Sequence, residues 1–243
     1  MSPTMPAPPL LLGHRGARDI RYLEENSLQS FDFALRAGCD GFEFDVRMSR
    51  DKRAVIVHDT RWYGLTVASS TFSQLLAAKP RPPGKTKVSR RSSGPVSLDQ
   101  VLQHYQRRVF LDIELKVTGI ETTVLEALRQ YPPQEQFVIS SFLPAVLWEI
   151  KARSHSPTGL ICDRKTQLSQ WSRIPGEYVM VEHKLATRQL IDELHAAARR
   201  VFVWTVNTPA RMRRFADWRV DGIISDDPEL LVKTLRNPGS ARS

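Results

Sequence analysis

Hydrophobic positions along the chain fall into short runs, separated by longer stretches in which apolar residues recur every third or fourth position. The short runs predict strands over 10–13, 41–48, 54–58, 109–116, 137–141, 158–162, 178–182, 201–206 and 222–225. The stretches of helical period predict helices over 27–37, 98–106, 120–130, 144–153, 187–199, 209–217 and 228–235. Ser27, Ser97 and the pair Asp227-Pro228 add helix-start signals at three of these. Strand and helix alternate, so the sheet should be parallel, with helices as the crossovers. With 41–48 and 54–58 taken as neighbours within one unit, about eight strands remain, and a (β/α)8 TIM barrel is expected rather than an open sheet.

The rhythm breaks over 59–95, which is rich in Pro, Ser, Lys and Arg and has a helical pattern only at 72–78. This segment is expected as an irregular insertion after the second strand unit. Because it follows His58 at a strand end, it should lie at the mouth of the barrel. No internal repeat is visible, and a single domain is expected over 10–236, with frayed tails at 1–9 and 237–243.

Composition narrows the picture modestly. The chain has 243 residues, of which 41% are hydrophobic, enough for one large core. No apolar run approaches the roughly 18 residues of a membrane span. The proline-rich start lacks a basic n-region, and Cys39 and Cys162 look like buried free thiols; both suggest a cytoplasmic protein. A net charge of +9 suggests an anionic partner: nucleic acid, a membrane surface or a phosphorylated small molecule. The sharpest basic stretch, between Lys79 and Arg91, has no aromatic residue for base stacking and is expected to be a solvated loop, not a nucleic-acid patch.

The chemistry-bearing residues cluster at strand ends. His14-Arg15-Gly16 follows the first apolar run, and His58-Asp59 follows Val55-Ile56-Val57. In Gly41-Phe42-Glu43-Phe44-Asp45-Val46 the two-residue period puts Glu43 and Asp45 on one face. Asp112, Glu114 and Lys116 share a face of another strand in the same way. Carboxylates pointing into a barrel core need compensation, from Lys116, Arg15 or a metal ion. A carboxylate-only set from rigid strands suits a hard cation, Mg²⁺ or Ca²⁺, better than zinc. Glu114 can complete such a set, while Asp112, farther from the rim, is expected to be an ion partner within the core. His14 and His58 form a pair able to take and give a proton. Trp204 and the Ser140-Ser141-Phe142 run end strands near the rim, and the Asp221–Asp226 run is assigned a structural role. The histidines at 104, 155, 183 and 195 show no convincing acidic companions in sequence.

Taken in order, His14-Arg15-Gly16, Glu25-Asn26-Ser27, Glu43-x-Asp45-Val46, His58-Asp59, Glu114-x-Lys116, Ser141-Phe142, Trp204-Thr205-Val206-Asn207 and Asp221-Gly222-Ile223-Ile224-Ser225-Asp226 resemble the motifs of the glycerophosphodiester phosphodiesterases. The resemblance runs from about Leu10 to Leu235. It implies a TIM barrel of the phospholipase C-like phosphodiesterase type that hydrolyses glycerophosphodiesters to glycerol 3-phosphate and an alcohol, with one divalent cation as cofactor. On the matching positions, Glu43, Asp45 and Glu114 would hold the metal, and His14 and His58 would be the acid–base pair. Arg15 and Lys116 would bind phosphate oxygens, and Phe142 and Trp204 would pack on the glycerol end.

The chain departs from the family pattern in the slightly long stretch between Gly16 and Glu25, in Glu24 where proline is usual, and in the reduced run Gly64-Leu65-Thr66-Val67 after His-Asp. Two alternatives stay open. One is a lysophospholipase D or sphingomyelinase D-like enzyme, which the stretch from Lys79 to Arg91 could dock on anionic membranes. The other is a non-catalytic phosphate-ester-binding barrel. The sequence sets neither the head group nor the oligomeric state.

Overall fold

The computed structural model describes residues 7–79, 94–105 and 109–236. The strands are β1 (Leu10–Gly13), β2 (Gly41–Met48), β3 (Ala54–Ile56), β4 (Arg61–Trp62), β5 (Leu65–Thr66), β6 (Phe110–Leu115), β7 (Phe137–Ser141), β8 (Thr158–Cys162), β9 (Tyr178–Glu182), β10 (Arg200–Trp204) and β11 (Gly222–Ser225). The helices are α1 (Leu28–Ala37), α2 (Phe72–Ala77), α3 (Leu98–His104), α4 (Glu121–Gln130), α5 (Pro144–Arg153), α6 (Lys165–Leu168), α7 (Arg188–Ala196), α8 (Pro209–Asp217) and α9 (Pro228–Leu235).

Eight of the strands close on themselves in the order β1-β2-β6-β7-β8-β9-β10-β11, every pair parallel, with β11 returning to β1. This is the expected TIM barrel. Strand β3 pairs antiparallel with the far end of β2, as the grouping of the two into one unit anticipated.

Two apolar layers hold the barrel. Outside it, the inward faces of the helices pack on the outward residues of the strands; Phe31 of α1 stacks on Phe42 of β2 with centroids 4.2 Å apart. That helix starts at Ser27, whose side chain accepts from Ser30 N, and stops at Gly38 with φ of 101°. Inside, Leu12, Phe110, Val138, Ile161, Tyr178, Met180, Phe202 and Ile224 fill the barrel and form a floor beneath its mouth.

The described first part of the insertion, 59–79, holds regular elements that its composition did not suggest. Tyr63 and Gly64, with φ of 43° and 91°, make the tight turn of a β4–β5 hairpin. Helix α2 begins with a capping box between Thr71 and Gln74, and Trp62 and Phe72 pack on Val55, Val57, Val67 and Leu75. Of the basic stretch from Lys79 to Arg91, residues 80–91 lie outside the described residues, as do residues 1–6 of the expected tail at 1–9 and all of the one at 237–243.

Candidate active site

Strands β2 and β6 lie side by side with Glu43 beside Asp112 and Asp45 beside Glu114. The two-residue period turns all four carboxyl groups into the barrel, where each residue is buried. Oxygens of Glu43, Asp45 and Glu114 come within 4.8 Å of one another, a group that could hold a metal ion. Glu43 Oε1 is buried and has no hydrogen-bond partner among the described residues.

The cluster is compensated unevenly. Lys116 Nζ lies 2.9 Å from Asp45 Oδ1 and 2.5 Å from Glu114 Oε1. Arg15 Nε is 3.2 Å from Asp45 Oδ2, and Asn26 Nδ2 donates to the same oxygen at 2.8 Å. Burial raises the Asp45 pKa, but Lys116 and Arg15 outweigh it and hold the group down at about 2. Burial dominates at Glu114, raising it to about 7 despite Lys116. At Glu43, burial and the charges of Asp45 and Glu114 push the pKa well above the usual carboxylate range. These three carboxyls share a site that wants more positive charge than the side chains supply, which fits a hard divalent cation.

His14 and Arg15 leave β1 through a turn that demands glycine on both sides. A Cβ at Gly13 would lie 1.9 Å from Gly16 O, and one at Gly16, where φ is 82°, would lie 2.5 Å from the Ser30 backbone. The turn sends the Arg15 backbone N–H to Glu43 Oε2 at 3.0 Å and sets His14 Nε2 3.7 Å from the same oxygen. Arg15 Nη1 also donates to Glu25 at 2.8 Å. His58 follows β3, with Nδ1 donating to Asp59 at 2.7 Å and its carbonyl accepting from Arg47 Nε at 2.7 Å. Burial lowers its pKa below the ordinary imidazole value.

One cavity of about 270 Å³ at the strands' C-terminal ends is lined by His14, Arg15, Glu43, His58, Glu114, Lys116, Phe142 and Trp204 among others. The structure thus gathers around a single space every expected site residue except Asp45, which is fully buried against Arg15, Lys116 and Asn26. Phe142 and Trp204 meet edge to face at 5.6 Å, and Ile161, Met180 and Ile224 continue that apolar wall. Ser141 Oγ donates to Leu115 O at 2.7 Å and accepts from Leu143 N, fixing the turn that presents Phe142. Lys116 Nζ sits 5.5 Å from the centre of the Phe142 ring.

The glycerophosphoryl diester phosphodiesterase family model matches residues 14–230. The chain belongs to this family. Its expected class, a phosphoric diester hydrolase, therefore holds. A glycerophosphodiester phosphodiesterase of Caldanaerobacter subterraneus subsp. tengcongensis is 27% identical over 242 residues, covering 95% of this chain and 99% of that protein. Among solved structures, a glycerophosphodiester phosphodiesterase from Thermotoga maritima superposes with a TM-score of 0.76 at 24% identity, covering 93% of this chain and 97% of its own. An Oleispira antarctica phosphodiesterase in complex with the product sn-glycerol-3-phosphate gives a TM-score of 0.78 at 20% identity, covering 93% and 96%. These two likenesses show the fold.

Several residues at or near this cavity escape sequence reasoning. Asp226, assigned a structural role with the rest of its run, accepts from His14 Nδ1 at 2.6 Å and from Asn207 Nδ2 at 2.6 Å. Burial raises the Asp226 pKa, but the His14 contact prevails and holds it at about 2. Its signal was available: a carboxylate just past the C-terminal end of a barrel strand. Asp112, expected as an ion partner within the core, accepts from the hydroxyl of Ser140 at 2.5 Å; burial raises its pKa to about 7, although Ser140 and the charge of Lys116 pull the other way. His195, without a companion in sequence, bonds Asp221 at 2.9 Å at the opposite end of the barrel. Arg18 lines the cavity as well and was not singled out.

Proposed function

We propose that this chain hydrolyses glycerophosphodiesters to sn-glycerol 3-phosphate and an alcohol, with residues 10–236 acting as one catalytic domain. The observation that carries the reading is the carboxylate group of Glu43, Asp45 and Glu114, with oxygens within 4.8 Å of one another, at a cavity that Glu43, Glu114, His14 and His58 line. The relative that binds sn-glycerol-3-phosphate supports the same class of small-molecule substrate.

Glu43, Asp45 and Glu114 would hold one divalent cation, Mg²⁺ or Ca²⁺; when bound, it would supply positive charge to the phosphoryl oxygens. Arg15 and Lys116 hold the remaining oxygens, and their attachment to Asp45 and Glu114 keeps both cations in place before substrate arrives. Phe142 and Trp204 seat the glycerol carbons. His58, kept neutral near pH 7 chiefly by its burial, takes the proton of the attacking oxygen: either water, which gives glycerol 3-phosphate directly, or the neighbouring glycerol hydroxyl, which gives a cyclic phosphate that a water then opens to glycerol 3-phosphate with the two histidines exchanging roles. His14, whose Nδ1–H is anchored on the Asp226 carboxylate, directs Nε2 into the cavity and gives a proton to the departing alkoxide.

A cytoplasmic location fits Cys39 and Cys162, which are free and buried. Among the described residues no helix is long and apolar enough to cross a membrane.

The test is release of glycerol 3-phosphate from glycerophosphoglycerol, glycerophosphocholine and glycerophosphoethanolamine with Mg²⁺, Ca²⁺ or a chelator present. Metal-dependent release is expected. No release from any of them, with or without metal, would remove the reading.

A further inference from the structure

Arg18 stands apart from the other cations of the cavity. It lies in the turn after β1, lines the cavity beside His14, and its side chain is 46% exposed. Its Nε is 3.3 Å from Glu25 Oε2 and its Nη1 is 3.6 Å from Asp226 Oδ2, yet neither contact is a hydrogen bond. Both carboxylates have nearer partners: Arg15 at 2.8 Å on Glu25, and His14 and Asn207 at 2.6 Å on Asp226. Arg15 and Lys116 are drawn down onto buried carboxylates, whereas Arg18 stands half-exposed at the cavity and its guanidinium makes no hydrogen bond among the described residues, so its planar fork of donors can still take an acceptor. Such a fork matches two oxygens of a carboxylate or phosphate.

The remaining surfaces of the cavity limit what Arg18 can meet. The walls from β7 to β11 are apolar apart from Thr205, and in the reading above they take the glycerol end. The face of Phe142 is already covered by Lys116, so this ring does not offer itself to a cationic head group. Resting on that reading, we propose that Arg18 is a specificity residue that binds an anionic group on the leaving alcohol. The chain would then prefer glycerophosphodiesters whose alcohol carries a carboxylate or phosphate over neutral or choline-bearing ones.

A matched pair of substrates tests this: glycerophosphoglycerol and glycerophosphoglycerate, which differ in the leaving alcohol by a hydroxymethyl against a carboxylate, with glycerophosphocholine as the cationic comparison. In the wild type, kcat/KM for the glycerate diester should exceed that for the glycerol diester by about tenfold, the scale of one charge-assisted hydrogen bond at a half-exposed position. Arg18→Gln should bring the ratio close to one, mainly through KM, and Arg18→Lys should restore part of it. Turnover of all three diesters without a preference for the glycerate ester would overturn the assignment of Arg18 while leaving the proposed function intact. So would an equal fall in kcat on all three in Arg18→Gln, which would mean that Arg18 merely steadies Asp226 or Glu25. No turnover of any diester would overturn the proposed function, and the assignment with it.

Discussion

The half of the cavity built on β1, β2, β3 and β6 and the half built on β7 to β11 share one barrel but follow different rules. In the first, Asp45 and Glu114 lie side by side, and Arg15, Lys116 and Asn26 bind them. In the second, Phe142, Ile161, Met180, Trp204 and Ile224 extend the apolar floor of the barrel upward. Like charges in a low-dielectric core oppose folding, so the polar half is a place where the fold gives up stability. The apolar half is core that happens to meet a cavity, and burial there favours folding. Reaction chemistry should therefore depend on the first half, and substrate seating on the second.

Substitutions on the polar half should cut turnover most. His14→Ala and His58→Ala are each expected to lower kcat by about 10²–10⁴-fold, while calorimetry still detects binding of glycerol 3-phosphate. A variant of either kind near the wild-type rate would break the acid–base assignment. Asp226 follows β11 but serves His14 of the polar half; Asp226→Asn keeps the shape of that anchor but removes its charge, and should cost on the order of 10²-fold in kcat with little change in KM. Equal losses in Asp226→Asn and in an outlying Asp221→Asn would return Asp226 to a structural role.

On the apolar half the expected signature reverses. Trp204→Ala should raise KM by about tenfold and change kcat less, because in the proposed reading Trp204 makes one apolar contact with the substrate. Deeper in the same half, Phe202 is fully buried, and Phe202→Ala should lower unfolding stability in urea by about 3–5 kcal/mol.

The smallest effect concerns pH and sets the halves apart without mutation. Glu114 and Glu43 have pKa values raised above the ordinary 4.5, Glu114 to about 7. A raised carboxyl contributes stability that is full below its unfolded pKa and is lost as pH rises through the folded value. Chelated protein should therefore melt at a lower temperature at pH 7.5 than at pH 5.5, whereas protein with saturating divalent cation should lose less over that window. Asp45, held at about 2, works the other way, but only below pH 4. A chelated protein equally stable at both pH values would contradict the crowding of charge.

The legible parts of the molecule were those set by local period. Alternation in Gly41–Met48 put Glu43 and Asp45 on one face with no knowledge of the barrel, and all eight barrel strands stood out as apolar runs. What escaped depends on closure of the barrel. His14 and Asp226 are 212 positions apart, and only the pairing of β1 with β11 brings them together. The β4–β5 hairpin escaped for another reason. Its strands are two residues each and its turn is Tyr63-Gly64 rather than a more common Asn-Gly. Arg18 escaped because a single arginine in a loop of charged residues carries no periodic signal.

The most direct test of the central claim is calorimetric titration of chelator-stripped protein with Mg²⁺ and with Ca²⁺, alongside Glu43→Gln. Binding of one ion per chain, with proton release near pH 7 and loss of that binding in Glu43→Gln, is the expected result. No binding of either ion, or binding unchanged in Glu43→Gln, would contradict the assignment of the polar half as a metal-holding site.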